Sequence, residues 1–194
     1  MTNSYRNLSD QALIAAYQRG DDEALNELIQ RHKDRLYTAI YLLVRDAHLA
    51  EDIFQDTFIK IIDTLRADKY MEKGKFLPWA MRIAHNLCVD HFRRARRSPM
   101  MHSTEEHDVF NFIRFPGSNA EEEMMTRQSH HYVREMLDQL PPEQREVIIL
   151  RHYADLSFKE IAALTNVSIN TALGRMRYGL INLRKMMLEK QICL

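Results

Sequence analysis

Apolar residues recur every three or four positions along most of this chain, and no sustained alternation of apolar and polar residues marks a strand. We therefore expect an all-α protein. Ser9 is placed to cap a short first helix that ends at Gly20, and Asp21 stands at the start of a longer second helix. After a turn at Arg45-Asp46, the same periodicity predicts a third helix over residues 47–65.

The third predicted helix has two different faces. Its inward positions are apolar. The outer face carries four polar residues and one isoleucine, namely Asp52, Gln55, Asp56, Ile59 and Lys60. An ordinary solvated helix surface would account for the charges. An isoleucine in their midst is instead a hint of a docking surface, and the residues alone leave both interpretations open.

A basic loop and a fourth helix come next. The loop, Lys69–Lys75, contains three lysines and a glycine, and Pro78 suits the first turn of the helix that follows. The spacing predicts six positions in this helix that face the core: Trp79, Ala80, Ile83, Ala84, Leu87 and His91. The outward positions of the loop and the helix are Lys69, Lys73, Lys75, Arg82, Asn86, Arg93, Arg94, Arg96 and Arg97. Such clustered cations favour a nucleic-acid-binding patch over a plain solvated helix end.

The middle of the chain separates two helical parts. No helical period persists over residues 98–119, where prolines and a Gly-Ser pair predict a flexible linker. An acidic first turn after the linker predicts a further helix that ends near Gln139, and Pro141-Pro142 begin another. We thus expect two small helical domains, at residues 9–97 and 120–190, joined by the linker.

The stretch Leu156–Leu183 predicts a helix-turn-helix. Ser157 and Glu160 form a capping box, in which each side chain satisfies a free backbone N–H at the start of a helix. Asn166 tolerates the left-handed conformation that ends this helix, and Ser168 caps the second one. An ordinary helical hairpin with a solvated charged face is the alternative.

The second helix of this motif has an apolar and a polar side. The apolar positions, which we expect to face inward, are Ile169, Ala172, Met176, Leu180 and Leu183. The other side carries Asn170, Thr171, Arg175 and Arg177. Small polar residues in the first turn followed by arginines suit a helix that enters the major groove, reads base edges and contacts phosphates.

Charge is balanced over the whole chain but unevenly distributed along it. The 194 residues include 27 Lys or Arg and 27 Asp or Glu. Lys69–Arg97 has eight basic residues against two acidic ones, and Leu156–Lys190 has six against two. Ser98–Met136 has seven acidic residues against three basic ones. Two basic regions separated by an acidic connector are compatible with a nucleic-acid partner despite the net charge of zero.

Composition gives little support to catalysis or export. Cys88 and Cys193 do not make a disulfide framework, and neither the Cys88/His91 pair nor His130-His131 has the four-ligand spacing of structural zinc. The sequence contains no glycine-rich phosphate loop and no nucleophile motif. It also lacks a signal peptide and an apolar run of about 18 residues that could span a bilayer. We therefore expect a soluble, cytoplasmic, non-enzymatic protein that needs no cofactor or metal and does not insert into membranes.

Three segments of the chain are similar, in order, to characteristic parts of one protein family. They are AEDIFQDTFIKII, FLPWAMRIAHNLCVDHFRR and LPPEQREVIILRHYADLSFKEIAALTNVSINTALGRMRYGL. They resemble the polymerase-gripping helix, the promoter-melting helix and the C-terminal DNA-reading domain of sigma-70 factors. Over nearly its whole length the chain resembles a bacterial sigma-70 family RNA polymerase sigma factor of the extracytoplasmic-function (ECF) group.

The resemblance implies a two-domain protein that binds core RNA polymerase, at its β′ clamp and β flap, and directs it to promoter DNA. It implies that the outer face of the third helix, from Asp52 to Lys60, meets the coiled coil of the β′ clamp. It places the minus-10 element on the nine outward residues of the basic loop and the fourth helix. It places the minus-35 element on Ser168, Asn170, Thr171, Leu173, Gly174, Arg175 and Arg177. Leu173 and Gly174 depart from the family, which often has polar or basic residues there, and an anti-sigma factor is left open as a further partner.

Two other functions compete with this interpretation. A free-standing helix-turn-helix regulator would bind DNA without polymerase and would use the N-terminal helices to sense a ligand or to dimerise. Such a regulator needs one basic surface, duplicated by symmetry over two half-sites, whereas this chain has two unlike ones. An RNA-binding module would account for the Arg-rich run, but the chain lacks the stacking aromatic residues on a sheet that such modules use.

Overall fold

A computed structural model describes residues 5–71, 75–97 and 132–190, and within these ranges it contains helices and turns but no strand. The helices are α1 (Asp10–Gln18), α2 (Asp22–Val44), α3 (Ala47–Arg66), α4 (Phe76–Arg97), α5 (residues 132–139), α6 (Pro142–His152), α7 (Phe158–Leu164) and α8 (Ile169–Glu189). They form two compact units, α1–α4 and α5–α8. The predicted all-α class is confirmed. Lys73, the predicted linker at 98–119 and the start of the helix that follows it lie outside the described residues.

Side-chain caps define the starts of the first three helices. The side-chain oxygens of Ser9, Asp21 and Asp46 each accept a hydrogen bond from the backbone N–H three residues further along. Arg45, between α2 and α3, has a φ of 61°, in the left-handed region where the chain leaves a helix. The predicted turns and helix starts in this unit are confirmed, because short-range capping chemistry determines them.

Helices α1–α4 pack around a hydrophobic core. Its large, fully buried side chains include Leu13, Leu28, Leu36, Ile40, Ile61, Leu65, Phe76 and Met81. Each buried side chain of this size stabilises the fold by about 1.5–3 kcal/mol relative to an exposed one. The core therefore holds α3 and α4 in a fixed frame, with their outer faces in solvent.

The buried stripe of α4 is displaced from the predicted one. Two of the six predicted positions, Ala80 and Ala84, are buried. The other four are only partly buried: Trp79, Ile83, Leu87 and His91. The residues buried in their place are Met81, His85 and Cys88. The prediction is confirmed for Ala80 and Ala84 and only in part for the other four positions, because α4 carries apolar residues on two adjacent stripes and periodicity does not decide which stripe is buried most deeply.

A charged cluster ties the start of α1 to α2. Arg31 donates to Asp10 Oδ1 over 2.8 Å, and His32 Nε2 lies 2.8 Å from Asp10 Oδ2. The Arg31 guanidinium also donates to the backbone carbonyl of Leu8 over 2.9 Å. Burial alone would raise the pKa of the Asp10 carboxyl, but the hydrogen bonds and charges of His32 and Arg31 outweigh it, so this pKa is lowered.

We expect Asp10→Ala to destabilise the first unit by about 1–3 kcal/mol, because Arg31 loses a charge-assisted partner. Asp22→Ala is the matched control, since Asp22 is also the first residue of its helix but is exposed, and its effect should be smaller. The Asp10 carboxylate contributes fully above its unfolded pKa of about 3.9, and this contribution is lost as the pH falls through the lower folded value. Urea unfolding of both variants near neutral pH and near pH 3 measures the difference, which should shrink in acid. Equal destabilisation by the two variants at neutral pH would contradict the prediction.

Helices α6 and α8 approach closely at Gly179. A β-carbon at this position would lie 2.8 Å from Ile148 Cδ1 and 3.4 Å from Gln144 Cβ. Asn182 Nδ2, three residues along α8, donates to Gln144 Oε1 over 2.9 Å. A glycine at this crossing therefore allows the backbone of α8 to lie against the side chains of α6.

The inward face of α8 also differs from the predicted one. Of the five predicted positions, Ala172 is fully buried, whereas Ile169 and Leu180 are 45% and 49% exposed. The remaining two are partly buried: Met176 and Leu183. The prediction is wrong for Ile169 and Leu180 because the contact with α6 is centred on Gly179, which has no side chain to contribute to a hydrophobic pattern.

Candidate nucleic-acid interface

The outer face of α3 is a polar surface around one exposed aliphatic residue. All five positions predicted for it, from Asp52 to Lys60, are exposed, and Ile59 is 56% exposed. The opposite face of the helix is fixed in the core by Ile53, Thr57 and Ile61. Covering an exposed isoleucine with a partner removes apolar surface from water, and this stabilises the complex. The exposure of this face is compatible with a docking surface and with an ordinary solvated helix surface.

The basic surface of the first unit extends along the whole of α4. Lys69 and Lys75 are exposed in the loop, Asn86 is exposed on the helix, and Arg82 is partly buried. The arginines at the end of the helix are all exposed: Arg93, Arg94, Arg96 and Arg97. At 1.5 Å per residue, the loop and this arginine run are roughly 25 Å apart. The described residues among those predicted for the minus-10 element therefore extend from the loop, past Arg82 and Asn86 in the middle of α4, to the arginines at its end.

The start of the basic loop is held by α1. Gln18 Nε2 donates to Asp68 Oδ1 over 2.8 Å, and Arg66 Nε donates to the Tyr17 hydroxyl over 3.0 Å. Asp68 has a φ of 52°, which turns the chain away from the end of α3. These contacts join residues 49 and 50 positions apart. No sequence signal predicts them, because they depend on how α1 packs against α3.

An aromatic pair lies beside the basic loop. The rings of Tyr70 and Trp79 meet edge to face with their centroids 4.7 Å apart, and the Trp79 ring lies 5.8 Å from that of Phe76. Phe76 is buried, whereas Tyr70 and Trp79 are only partly buried. Aromatic faces serve as stacking platforms for unpaired bases. Trp79, which the spacing assigns to the core, is thus a candidate site residue, and its position in the first helical turn after a basic loop is the signal that could have found it.

The second unit contains the predicted helix-turn-helix, formed by α7 and α8. Both halves of the capping box are present: Ser157 N–H donates to Glu160 Oε2 over 2.8 Å, and Glu160 N–H donates to Ser157 Oγ over 3.3 Å. Asn166 has a φ of 57°, and the next N–H, that of Val167, donates to the Ala162 carbonyl over 2.9 Å. This left-handed residue follows the end of α7 and allows α8 to start three residues later, at Ile169.

The first half of α8 presents small polar, apolar and cationic residues to solvent. Asn170, Thr171, Leu173 and Arg177 are exposed, whereas Gly174 and Arg175 are partly buried. The remaining predicted residue, Ser168, is engaged as the helix cap: its Oγ accepts from Thr171 N–H over 3.0 Å and lies 2.8 Å from Thr171 Oγ1. Its hydroxyl therefore has a structural role at the entrance to the helix.

Tyr178 is an exposed residue of this surface that no pattern singles out. It is 62% exposed and follows Gly174 by one helical turn, on the side of Thr171. Its phenol can contact a phosphate or a base edge. Tyr178 directly follows the predicted site residue Arg177, and this adjacency is the signal that could have found it.

Cys88 is the one cysteine among the described residues, and it is buried. Burial raises the pKa of the Cys88 thiol to about 12, so it stays protonated and unreactive at neutral pH. Within residues 5–71, 75–97 and 132–190, no three His, Cys, Asp or Glu side chains come together as metal ligands. No helix in the same ranges combines the length and the hydropathy needed to cross a bilayer.

Two unlike surfaces on two helical units therefore carry the chemistry of this protein. One is an elongated cationic surface next to an aromatic pair, and the other is the exposed half of a helix-turn-helix. Their combination is typical of a DNA-binding protein.

Comparison with known proteins identifies the family. Residues 28–98 match Sigma-70 region 2, and residues 130–173 match Sigma-70, region 4. The chain is 28% identical over 176 residues to the ECF RNA polymerase sigma factor SigW of Bacillus subtilis, covering 89% of this chain and 93% of SigW. It is 30% identical over 176 residues to the RNA polymerase sigma factor CarQ of Myxococcus xanthus, covering 91% of this chain and 96% of CarQ.

A solved structure supports the fold. The co-crystal structure of the sigma factor RpoE with the anti-sigma factor NepR from Bartonella quintana contains a chain that matches with a TM-score of 0.61 at 21% identity. The match covers 84% of this chain and 96% of that one. This chain belongs to the ECF group of sigma-70 family RNA polymerase sigma factors. It directs promoter-specific transcription by RNA polymerase, and the alternative of a free-standing regulator is not favoured.

Proposed function

We propose that the two units divide promoter recognition between them. The first unit binds the β′ clamp of core polymerase through the outer face of α3 and holds the minus-10 element on the basic loop and α4. The second unit reads the minus-35 element with the first half of α8 and contacts the β flap. The observation that supports this division most directly is the exposure of Ile59 among polar residues on α3, since a covered isoleucine favours binding.

Promoter opening needs a rigid surface that stabilises unpaired bases. Each base-pair stacking step costs about 1.4 kcal/mol to disrupt. Cations of the basic loop and α4 attract the displaced strand, and the partly exposed Trp79 ring, packed against Tyr70, offers a face for an unstacked base. We include Lys73 in this proposal because it lies in the sequence of the basic loop, between Lys69 and Lys75.

Further features of the protein follow from this role. We infer domain boundaries at residues 9–97 and 120–190, with residues 98–119 as the linker. A sigma factor of this kind acts by binding, without catalysis or a cofactor, and works in the cytoplasm where polymerase is found. A chain in the RpoE–NepR complex shares the fold, and we propose an anti-sigma factor as a further partner of this chain too.

Transcription with purified components tests the proposed function. The protein with core polymerase should start transcription at a defined promoter, found by mapping transcript starts after overexpression, whereas the protein alone should protect little DNA. Tight, sequence-specific operator binding without polymerase would overturn the proposal.

Two arginines of α8 are expected to behave differently on promoter DNA. Arg175 is partly buried and Arg177 is exposed. We expect Arg175→Ala to cost roughly 1–3 kcal/mol of promoter binding and to relax the preference at one base pair, if it pairs with a guanine. Arg177→Ala should weaken binding similarly on all sequences and lower its salt dependence, as loss of a phosphate contact does.

Holoenzyme titrations on promoters with single base changes in the minus-35 element measure both effects. Arg184→Ala is the control. Arg184 is also an exposed arginine, but it lies two helical turns beyond Arg177, outside the first half of α8. A cost for Arg184→Ala equal to that for Arg175→Ala would show that charge alone, rather than a base contact, is responsible.

A further inference from the structure

An exposed leucine lies within the DNA-reading half of α8. The Leu173 side chain is 42% exposed. It follows Asn170 by three residues and precedes Arg177 by four, so the three side chains share one face of the helix. The adjacent Gly174 has nothing within 4 Å of the place where a β-carbon would lie. Leu173 therefore projects from a part of the helix that has little side-chain bulk beside it.

The chemistry of leucine restricts what it can recognise in a major groove. Leucine has no hydrogen-bond donor or acceptor, and the apolar group that base pairs present in the major groove is the 5-methyl of thymine. Asparagine pairs best with the N6 and N7 atoms of adenine. The rise from Asn170 to Leu173 is about 4.5 Å, close to the spacing of about 3.4 Å between base pairs. The two side chains can therefore contact the same or adjacent base pairs.

We propose that Leu173 is a specificity residue that contacts the 5-methyl group of a thymine in the minus-35 element, beside an adenine that Asn170 reads. The inference rests on the proposed role of α8. It predicts that the minus-35 element of this protein contains at least one A·T pair that is recognised through a methyl group. A polar or basic side chain at this position would instead select a base with a donor or acceptor.

Replacing thymine by uracil tests the proposal, because uracil lacks only the methyl group. Holoenzyme is titrated with a promoter that it transcribes, in which each minus-35 thymine is replaced in turn. We expect a roughly three- to five-fold loss of affinity at one or two positions, the effect of losing one buried methyl contact. Leu173→Ala should show a similar loss on thymine DNA and no further loss on uracil DNA.

Two further variants complete the design. Leu188→Ala is the matched control, since Leu188 is 72% exposed near the end of α8, and it should keep the uracil sensitivity of the natural chain. Leu173→Gln preserves side-chain length but should also lose that sensitivity. Thermal unfolding of the full chain should be the same for both Leu173 variants, because the side chain is exposed.

The possible outcomes separate this inference from the proposed function. If scrambling the minus-35 element weakens binding but uracil has no effect at any position, the methyl contact is refuted and the role of α8 stands. Undiminished uracil sensitivity in Leu173→Ala refutes it as well. If scrambling has no effect, α8 does not read this element, and both proposals fail.

Discussion

Asp52→Lys is expected to reduce the affinity for core polymerase by about 30-fold or more. Asp52 is exposed on the outer face of α3, close to Gln55 and Asp56. Replacing a carboxylate by an ammonium at a complementary interface leaves an unpaired charge against the partner, which typically costs about 2–5 kcal/mol. The fold should be unaffected, because the side chain takes no part in the core.

Asp34→Lys provides the control for this charge reversal. Asp34 is exposed on α2 of the same unit, so the change in net charge is identical. Titration of labelled protein with core polymerase compares the two variants, and thermal unfolding of each full chain tests their folding. If both variants lose affinity equally, the loss reflects net charge. If Asp52→Lys lowers the melting temperature, the loss reflects misfolding.

Gly179→Val is expected to destabilise the second unit by about 1–3 kcal/mol or more. Even a β-carbon at this position would lie 2.8 Å from Ile148 Cδ1, and the two γ-methyl groups of valine must enter the same closely packed crossing. The helix-propensity gain of removing a glycine, roughly 0.5–1 kcal/mol, opposes this cost but is smaller. The affinity for the minus-35 element should fall together with the free energy of unfolding, because the clash with Ile148 displaces α8.

Two further substitutions test the cause of this effect. Ile148→Val removes Cδ1, so it should partly rescue Gly179→Val, and a double-mutant cycle of unfolding free energies measures the coupling. Gly174→Ala is the matched glycine control. With no atom within 4 Å of the added carbon, it should stabilise α8 by up to about 1 kcal/mol. Destabilisation by Gly174→Ala, or additive effects in the cycle, would contradict the steric explanation.

Local chemistry made part of this structure predictable. Ser9, Asp21 and Ser157 cap helices through backbone groups within three residues, so their sequence neighbours are sufficient to place them. Asn166 marks the turn because few residues tolerate a positive φ. The same reasoning identified the exposed outer face of α3, where charged residues alternate with a buried apolar stripe at helical spacing.

Packing between distant segments was not predictable in the same way. Trp79 and Leu180 are as apolar as core residues, but the helix orientations leave them partly or largely exposed. Gly179 is central to the α6–α8 crossing and yet invisible to hydrophobic periodicity. The roles of the polymerase-facing and DNA-facing residues stay predictions, because they concern partners whose positions the chain alone does not determine.

The contacts between α1 and the end of α3 have a consequence for genetics. Tyr17 and Gln18 belong to no basic surface, but they form hydrogen bonds with Arg66 and Asp68 at the point where the basic loop leaves α3. On the proposed role of the basic loop, alleles that change α1 should alter promoter opening while polymerase affinity and minus-35 recognition remain intact. A screen for sigma factors that assemble with polymerase but fail to open promoters should recover changes in α1 as well as in the loop. Compensating second-site alleles are then expected about fifty codons downstream.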